Sequence, residues 1–267
     1  MDKKDEMERV ARVFDNYELT KTADAIRSLS NELYEKNIQV DFDEAYSRIR
    51  DMLRDEFVSK PGTIRSFKEN CYRAYTSLLI GAVRKDTPQV KKLFEDFEPS
   101  MKRLANSYKI ISEVAQGLMG SQQLTHKQRY FGACFGYMII VESVFKELCE
   151  IIFMLDGIRK RRPKNFSKVE AMDIFKLTQK IKSKADLSVL VEGYWNLLRN
   201  SIAHANFEYN ETTGKMNFKD IYHGKVTDLG DFTLDEFATK FYLKVDDLYI
   251  LISSVLMLGR LVDIYQD

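Results

Sequence analysis

The chain has 267 residues, 45% of them hydrophobic, and its 41 basic residues nearly balance its 40 acidic ones. This length and composition suit a globular protein with a full core, while the balanced charge excludes a global field that would attract nucleic acid or an anionic membrane. The charged start lacks the apolar stretch of a signal peptide, so we expect a cytoplasmic protein without membrane contact.

The first 118 residues predict a helical region of unknown role. Apolar residues recur there at intervals of three and four, with breaks near Pro61, Pro88 and Pro99, and no motif stands out. The segment 117–123 is short and rich in small and polar residues, and it precedes a strong helix-capping signal. We therefore expect a boundary between an N-terminal region, residues 1–118, and a second helical domain, residues 119–267.

The second domain opens with the longest predicted helix, from about Thr125 to Asp156. Thr125 and Gln128 fit a capping box, and the apolar residues that follow cover several faces of the helix. Such a helix must be covered from more than one side, as in a bundle or a dimer interface. Glu142 lies beside its main apolar stripe, where a dimer-interface role and a plain flanking position are both open.

A basic loop follows this helix and holds the densest positive patch of the chain, formed by Arg159, Lys160, Arg161 and Arg162. Such a patch could steer an RNA backbone toward a nearby site. It could equally be a solvated turn that neutralises the carboxyl end of the long helix. After the loop we expect a short helix from a capping box at Ser167 to about residue 182.

The next predicted helix, from about Asp186 to Ala203, ends in the feature with the clearest chemistry. A helical projection sets Glu192, Asn196, Arg199 and Asn200 opposite an apolar arc, and His204 follows Asn200 by one turn. Histidine can move a proton near neutral pH, arginine can brace a phosphate, and asparagine can fix an orientation, so this end suits a phosphodiester without any metal or cofactor.

The same residues also have plainer interpretations. Arginine and histidine are favoured in the last turn of any helix, where they bond its free carbonyl groups. Glu192 and Asn196 could belong to a solvated helix face.

Beyond His204 the hydrophobic period changes from helical to alternating. Phe207 and Tyr209, then Met216 and Phe218, alternate with polar residues around turn-forming residues 210–214, which predicts a small β-hairpin. A capping box at Thr233 opens a last helix that runs to about residue 265. The three cysteines lack the spacing of a metal site or a disulfide framework, and we expect them to be reduced core residues.

The run from Leu197 to His204, followed by a hairpin and a closing helix, resembles the signature of the HEPN superfamily, the higher eukaryotes and prokaryotes nucleotide-binding domains. Members carry an arginine, usually a polar residue after it, and a histidine a few positions on; here these are Arg199, Asn200 and His204. The resemblance covers residues 125–267. It implies an all-α fold, a HEPN-like helical bundle with a small β-hairpin after the motif helix, preceded here by the additional N-terminal helical region.

The resemblance also implies an activity. HEPN ribonucleases cut RNA without a metal, through a composite site at the interface of a homodimer, where the 2′-hydroxyl attacks the adjacent phosphate. By this resemblance His204 is the general acid or base, Arg199 stabilises the phosphorane, and Asn200 is the orienting group of the site. Such proteins include toxins and antiviral defence effectors, some with an antitoxin or regulatory partner. Some family toxins have a modified tyrosine two residues after the histidine; Asn206 stands here, so that regulation is not implied.

Two other functions stay open at this point. A non-catalytic HEPN module would bind nucleotide, RNA or a protein partner through the same polar groove without turnover. A plain helical scaffold would use Arg199 and His204 only as helix caps. Metal-independent RNA cleavage that depends on His204 distinguishes the first function from both.

Overall fold

The helices dominate the computed structural model, which describes residues 2–36, 40–120 and 123–266. The first half forms α1 (Lys3–Asn16), α2 (Thr20–Tyr34), α3 (Phe42–Ser59), α4 (Arg65–Val83) and α5 (Thr87–Gly120). The second half forms α6 (His126–Ile139), α7 (Lys146–Arg159), α8 (Phe166–Glu170), α9 (Ile174–Lys182), α10 (Asn196–Ala203), α11 (Leu234–Phe237) and α12 (Leu243–Gln266). Within the described ranges no helix has the length and apolarity needed to cross a membrane.

Internal contacts divide the chain into two compact units, residues 1–72 with 247–267 and residues 73–246. The boundary that we predict between residues 118 and 119 lies in the last turn of α5, and residues 121 and 122 of the predicted connecting segment lie outside the described residues. The predicted division into an N-terminal region and a second domain stays a prediction.

The first unit is built on amphipathic helices. Asp2 and Asp41 cap α1 and α3 by accepting backbone N–H bonds, and Phe14 and Ile26 are fully buried. The part of α12 in this unit brings in Tyr249, whose ring meets that of Tyr17 edge-on with centroids 5.8 Å apart. Apolar burial of these facing stripes stabilises the unit.

The predicted long helix is confirmed as a continuous helical run with an unpredicted feature. The capping box at Thr125 opens α6, a π-helical segment (Ile140–Phe145) follows, and α7 completes the run. Every residue from Leu148 to Ile158 is buried, which confirms that the helix is covered on several sides.

Two charged residues, Glu150 and Asp156, lie within this buried stretch, and the second forms what we call the Asp156 cluster. Asp156 is only 3% exposed, and its carboxylate receives Arg159 at 2.6 Å, Lys184 at 2.7 Å and Lys160 at 3.2 Å. Burial raises the pKa of Asp156, but the hydrogen bonds and charges of the three cations outweigh burial and leave this pKa below its usual value. The cluster joins the end of α7 to the chain that follows α9.

Two predicted helices are corrected by the structure. The helix expected from Ser167 to residue 182 is two helices, because Asn165 and Asp173 each accept a backbone N–H and start a new helix. The capping box expected at Ser167 is therefore wrong.

The helix expected from Asp186 is wrong up to residue 195. A 3₁₀ turn (Ser188–Val191) is followed by extended backbone at Trp195, and α10 begins only at Asn196. The cause is a close approach at Gly193: an added Cβ would lie 2.9 Å from Val245 Cγ2, and the Gly193 carbonyl accepts a hydrogen bond from the Tyr137 hydroxyl.

The predicted hairpin is confirmed and gains a third strand. The antiparallel sheet has the order β1 (Phe207–Asn210), β2 (Lys215–Tyr222) and β3 (Lys225–Phe232). Its inner face buries Met216 and Phe218, and the ring of Phe218 stacks on that of Phe237. The sheet therefore packs β2 behind the end of the motif helix.

Candidate functional site

The candidate site lies at the carboxyl end of α10. Leu198 and Ile202 are buried and fix the apolar face of this eight-residue helix, while Arg199 and Asn200 are half-buried and His204 is exposed at the C-cap. The carboxyl end of the helix thus carries a guanidinium, a carboxamide and, at its C-cap, an imidazole. The predicted grouping of Arg199, Asn200 and His204 at one helix end is present in the structure.

The helix stops immediately after His204 through a left-handed residue that is not glycine. Ala205 has φ +53°, and the N–H groups of Ala205 and Asn206 donate to the carbonyls of Ile202 and Ser201, the pattern of a Schellman motif. A left-handed alanine is strained by about 1 kcal/mol relative to glycine. The backbone at His204 is therefore held by its surroundings.

Ser201 supplies much of that support. Its buried hydroxyl donates to the Asn206 carbonyl at 2.8 Å and accepts the N–H of Lys219 from β2 at 3.2 Å. A hydroxyl that both donates and accepts inside the core joins the helix end to the sheet. This contact fixes the position of the His204 backbone relative to β2.

The side chain of Arg199 is held by two oxygen atoms. Its Nε lies 2.5 Å from Oε1 of Glu142, and its Nη1 donates to Oδ1 of Asn200 at 3.1 Å. Its Nη2 has no hydrogen-bond partner among the described residues. The planar guanidinium is thus oriented on one edge and keeps donors for an anion on another.

Glu142 reaches Arg199 from the π-helical segment between α6 and α7. A π-helical turn is rare, and it is frequently found at functional sites because it redirects one side chain out of the regular helical pattern. The sequence leaves a dimer-interface role and a flanking position open for Glu142, and in the structure its carboxylate pairs with Arg199, 57 residues away.

Tyr194 is a further residue near this pair that sequence reasoning placed only on an apolar arc. Its ring stacks on Phe145 with centroids 5.8 Å apart, and its hydroxyl donates to Oδ1 of Asn196 at 2.9 Å. Burial raises the pKa of Tyr194, and the charge of Arg199 opposes that rise. The tyrosine is therefore a neutral hydrogen-bonding group beside the Arg199–Glu142 pair.

The structure separates the weaker candidates from His204. Glu192 precedes the break in the helix and pairs with Lys244 at 3.1 Å, whereas Asn196 begins α10 and accepts from Tyr194. Neither side chain has a hydrogen bond to Arg199 or His204 in the described structure. A role of Glu192 and Asn196 in substrate binding stays a prediction.

The basic loop lies at the far end of the long helical run. Arg159 follows Glu142 by 17 residues of continuous helix, a separation of about 25 Å at 1.5 Å per residue. Arg159 and Lys160 take part in the Asp156 cluster, while Arg161 and Arg162 are exposed. Contact of these four residues with substrate stays a prediction, and it requires an RNA long enough to reach them.

An exposed apolar patch lies on α6, one turn before Glu142. Phe135 is 57% exposed and Ile139 is 54% exposed, although the same helix buries Cys134 and Tyr137. The two side chains are four residues apart and so share one face of the helix. Large apolar side chains in this exposure are typical of surfaces that contact another molecule.

Comparison with known proteins gives one finding and two negative results. A protein-family model described as HEPN pEK499 p136 matches residues 81–255, about two thirds of the chain. The matched range contains Glu142, the motif helix and the three-stranded sheet. No curated protein and no solved structure gives a match.

Proposed function

The chain belongs to the HEPN family, and from this premise we propose that it is a metal-independent endoribonuclease with Arg199 and His204 at its site. HEPN domains are often ribonucleases, and they commonly dimerise and bind RNA. One observation carries the proposal: a guanidinium oriented by Glu142 and Asn200 stands five residues before an exposed imidazole at the same helix end. These are the groups that phosphodiester transfer requires.

The reaction is an internal transfer at phosphorus. The 2′-oxygen of the RNA forms a bond to the adjacent phosphorus, the bond from phosphorus to the 5′-oxygen breaks, and the products are a 2′,3′-cyclic phosphate and a 5′-hydroxyl. A general base takes the proton of the 2′-hydroxyl, and a general acid gives a proton to the leaving 5′-oxygen. Arg199 offers donors to the charged phosphorane, and Asn200 keeps Arg199 in position.

Two copies of the chain supply the acid and the base together. One imidazole cannot be both protonated and unprotonated during a concerted transfer, whereas two His204 side chains in a homodimer can divide these roles. The apolar patch of Phe135 and Ile139 lies on the helix that carries Glu142, so a second copy seated there would lie close to the site. The biological role in this proposal is a toxin or antiviral effector in the cytoplasm, regulated by a partner protein.

The direct test is incubation of the purified protein with single-stranded RNA in excess chelator, followed by analysis of the new ends. We expect cyclic phosphates and 5′-hydroxyls. A requirement for a divalent metal, or 3′-hydroxyl ends, would contradict the mechanism.

A second function is favoured by one observation, that the exposed His204 ring makes no hydrogen bond with the described residues. Catalytic histidines generally have a partner that fixes which nitrogen carries the proton. A non-catalytic HEPN module would bind nucleotide, RNA or a protein through the same surface. It would retain RNA in a binding assay and yield no new ends.

The carboxylate of Glu142 provides a test of the geometry. Because Glu142 orients Arg199, we expect Glu142→Ala to lower kcat about tenfold, the effect of one lost charged hydrogen bond, with KM little changed. Glu142→Gln can still accept from Nε and should recover most of the rate. Steady-state kinetics on a fluorescent oligonucleotide distinguish these outcomes, and equal rates for wild type and the alanine variant would exclude a positioning role.

The apolar patch provides a separate test of the dimer. We expect the double variant Phe135→Glu with Ile139→Glu to weaken dimerisation about a hundredfold and to lose cleavage at low protein concentration, because two half-exposed apolar side chains no longer gain burial. Ile64→Glu is the matched control, since Ile64 is also exposed but lies in another part of the chain. Sedimentation velocity measures the change. A dimer that survives the double variant would place the interface elsewhere.

A further inference from the structure

A shallow groove runs along one face of α4, away from the motif helix. It is lined by Arg73, Thr76, Ser77, Ile80 and Gly81 of α4, by Arg84 in the turn that follows, and by Arg159 at the end of α7. These α4 positions recur at intervals of three and four, so they share one side of the helix. The groove thus combines three guanidinium groups with two hydroxyl groups.

Gly81 accounts for the position of Arg159 in this groove. An added Cβ at Gly81 would lie 2.9 Å from Cδ of Arg159, closer than such atoms approach in proteins. A glycine inside a helix destabilises it by about 1 kcal/mol relative to alanine. The glycine here lets the side chain of Arg159 lie directly on the helix backbone.

The guanidinium of Arg159 is held in one orientation by two carboxylates. Its Nη2 donates to Asp156 at 2.6 Å and its Nη1 donates to Asp186 at 2.7 Å. Asp156 also pairs with Lys160 and Lys184, so the group of five charges carries a net charge of +1. Arg159 therefore contributes rigidly held hydrogen-bond donors to the groove, whereas much of its charge is neutralised by the two carboxylates.

Arg84, in the turn that follows α4, supplies positive charge to the groove. Arg84 is exposed and makes no ion pair with the described residues, and Arg73 stands three turns before it on the same face. Arg161 and Arg162, exposed and without a carboxylate partner in the described structure, follow Arg159. Guanidinium groups that converge with hydroxyls match the charge and geometry of phosphate oxygens.

The groove is distinct from the motif site. Arg159 lies about 25 Å from Glu142 along one continuous helical run, which is farther than a single nucleotide reaches. A ligand in the groove is therefore separate from the scissile phosphate of the same copy.

We infer that the arginine groove of α4 and Arg159 is a second anion site, which binds the phosphate groups of a nucleotide or of an RNA chain. Arg84 supplies charge, Ser77 supplies a hydroxyl donor, and Arg159 closes the groove as a fixed donor. Ligand binding alone defines this second site, so it does not depend on RNA cleavage at His204.

The test measures binding by the full-length protein in chelator. The probes are inorganic triphosphate, a fluorescent nucleoside triphosphate and a single-stranded RNA of about twelve nucleotides with 2′-O-methyl groups that prevent cleavage. We expect Arg84→Ala to weaken binding of at least one probe about tenfold, which is the effect of one lost charged hydrogen bond. The slope of the logarithm of the binding constant against the logarithm of the salt concentration should become shallower by about one unit. Arg84→Lys should restore part of the affinity.

Arg65→Ala is the control for position, because it removes an exposed arginine from the same helix, outside the groove, and should leave binding unchanged. Binding of the small triphosphates identifies a nucleotide ligand, and Arg84-dependent binding of the RNA alone identifies a chain. Absence of binding, indifference to Arg84→Ala, or an equal loss with Arg65→Ala overturns the inference.

Discussion

Replacing His204 with alanine should lower metal-independent RNA cleavage by two to four orders of magnitude, the contribution of a positioned general acid or base. Arg199→Ala should lower it by about two to three orders, because the donors to the charged phosphorane are lost. Both side chains are half-buried or exposed at the end of α10, so neither change removes core packing. The measurement is the initial rate of cleavage of a fluorescent oligonucleotide in excess chelator.

His223→Asn is the matched control for this experiment. His223 is also exposed, but it lies in the turn between β2 and β3 with φ +48°, a conformation that asparagine tolerates. We expect the control to cut like wild type. If His204→Ala retains full activity, the site is not at this helix end; if it loses RNA binding while wild type never cuts, the module binds without turnover.

Replacing Asp156 with asparagine should lower the free energy of unfolding by about 3 kcal/mol. The carboxylate is 3% exposed and receives three cations, which would be left facing a neutral amide. Asp173→Asn is the control, because Asp173 is half-exposed and asparagine caps a helix equally well. Urea unfolding followed by circular dichroism measures both variants, and equal midpoints would show that the cluster adds no stability.

The same cluster predicts a pH dependence with a definite sign. The pKa of Asp156 is lower in the folded protein than in the unfolded chain, where it is about 3.9, so the folded state favours the charged form. The stabilisation is complete above the unfolded pKa and is lost as the pH falls through the folded one. Wild type and Asp156→Asn should therefore differ by a constant amount at neutral pH and converge below about pH 4.

Features with local causes could be predicted from the sequence. The capping boxes at Thr125 and Thr233 depend on residues three apart, and both form as expected. The hairpin followed from strand alternation around residues 210–214, and its register pairs Tyr209 with Met216. The HEPN resemblance, drawn from eight residues and their surroundings, agrees with the family match.

Features with distant causes could not be predicted. The break before α10 depends on Gly193 meeting Val245, 52 residues later, and a single-sequence projection therefore continued the helix through it. The third strand was missed because residues 225–231 are largely exposed and lack a clean alternation. At the site, Glu142 and Arg199 were each noticed, but their pairing is a tertiary contact.

The π-helical segment between α6 and α7 carries a consequence for how this helix is used. One extra residue in a turn shifts the phase of everything beyond it by about 100° relative to a regular α-helix. Before the shift the helix leaves Phe135 and Ile139 in solvent, and after it the helix is enclosed on all sides. The insertion thus lets one continuous helix pass from a part with a solvent-exposed apolar face to a part that is enclosed by protein. Glu142 lies in the π-helical segment between these two parts.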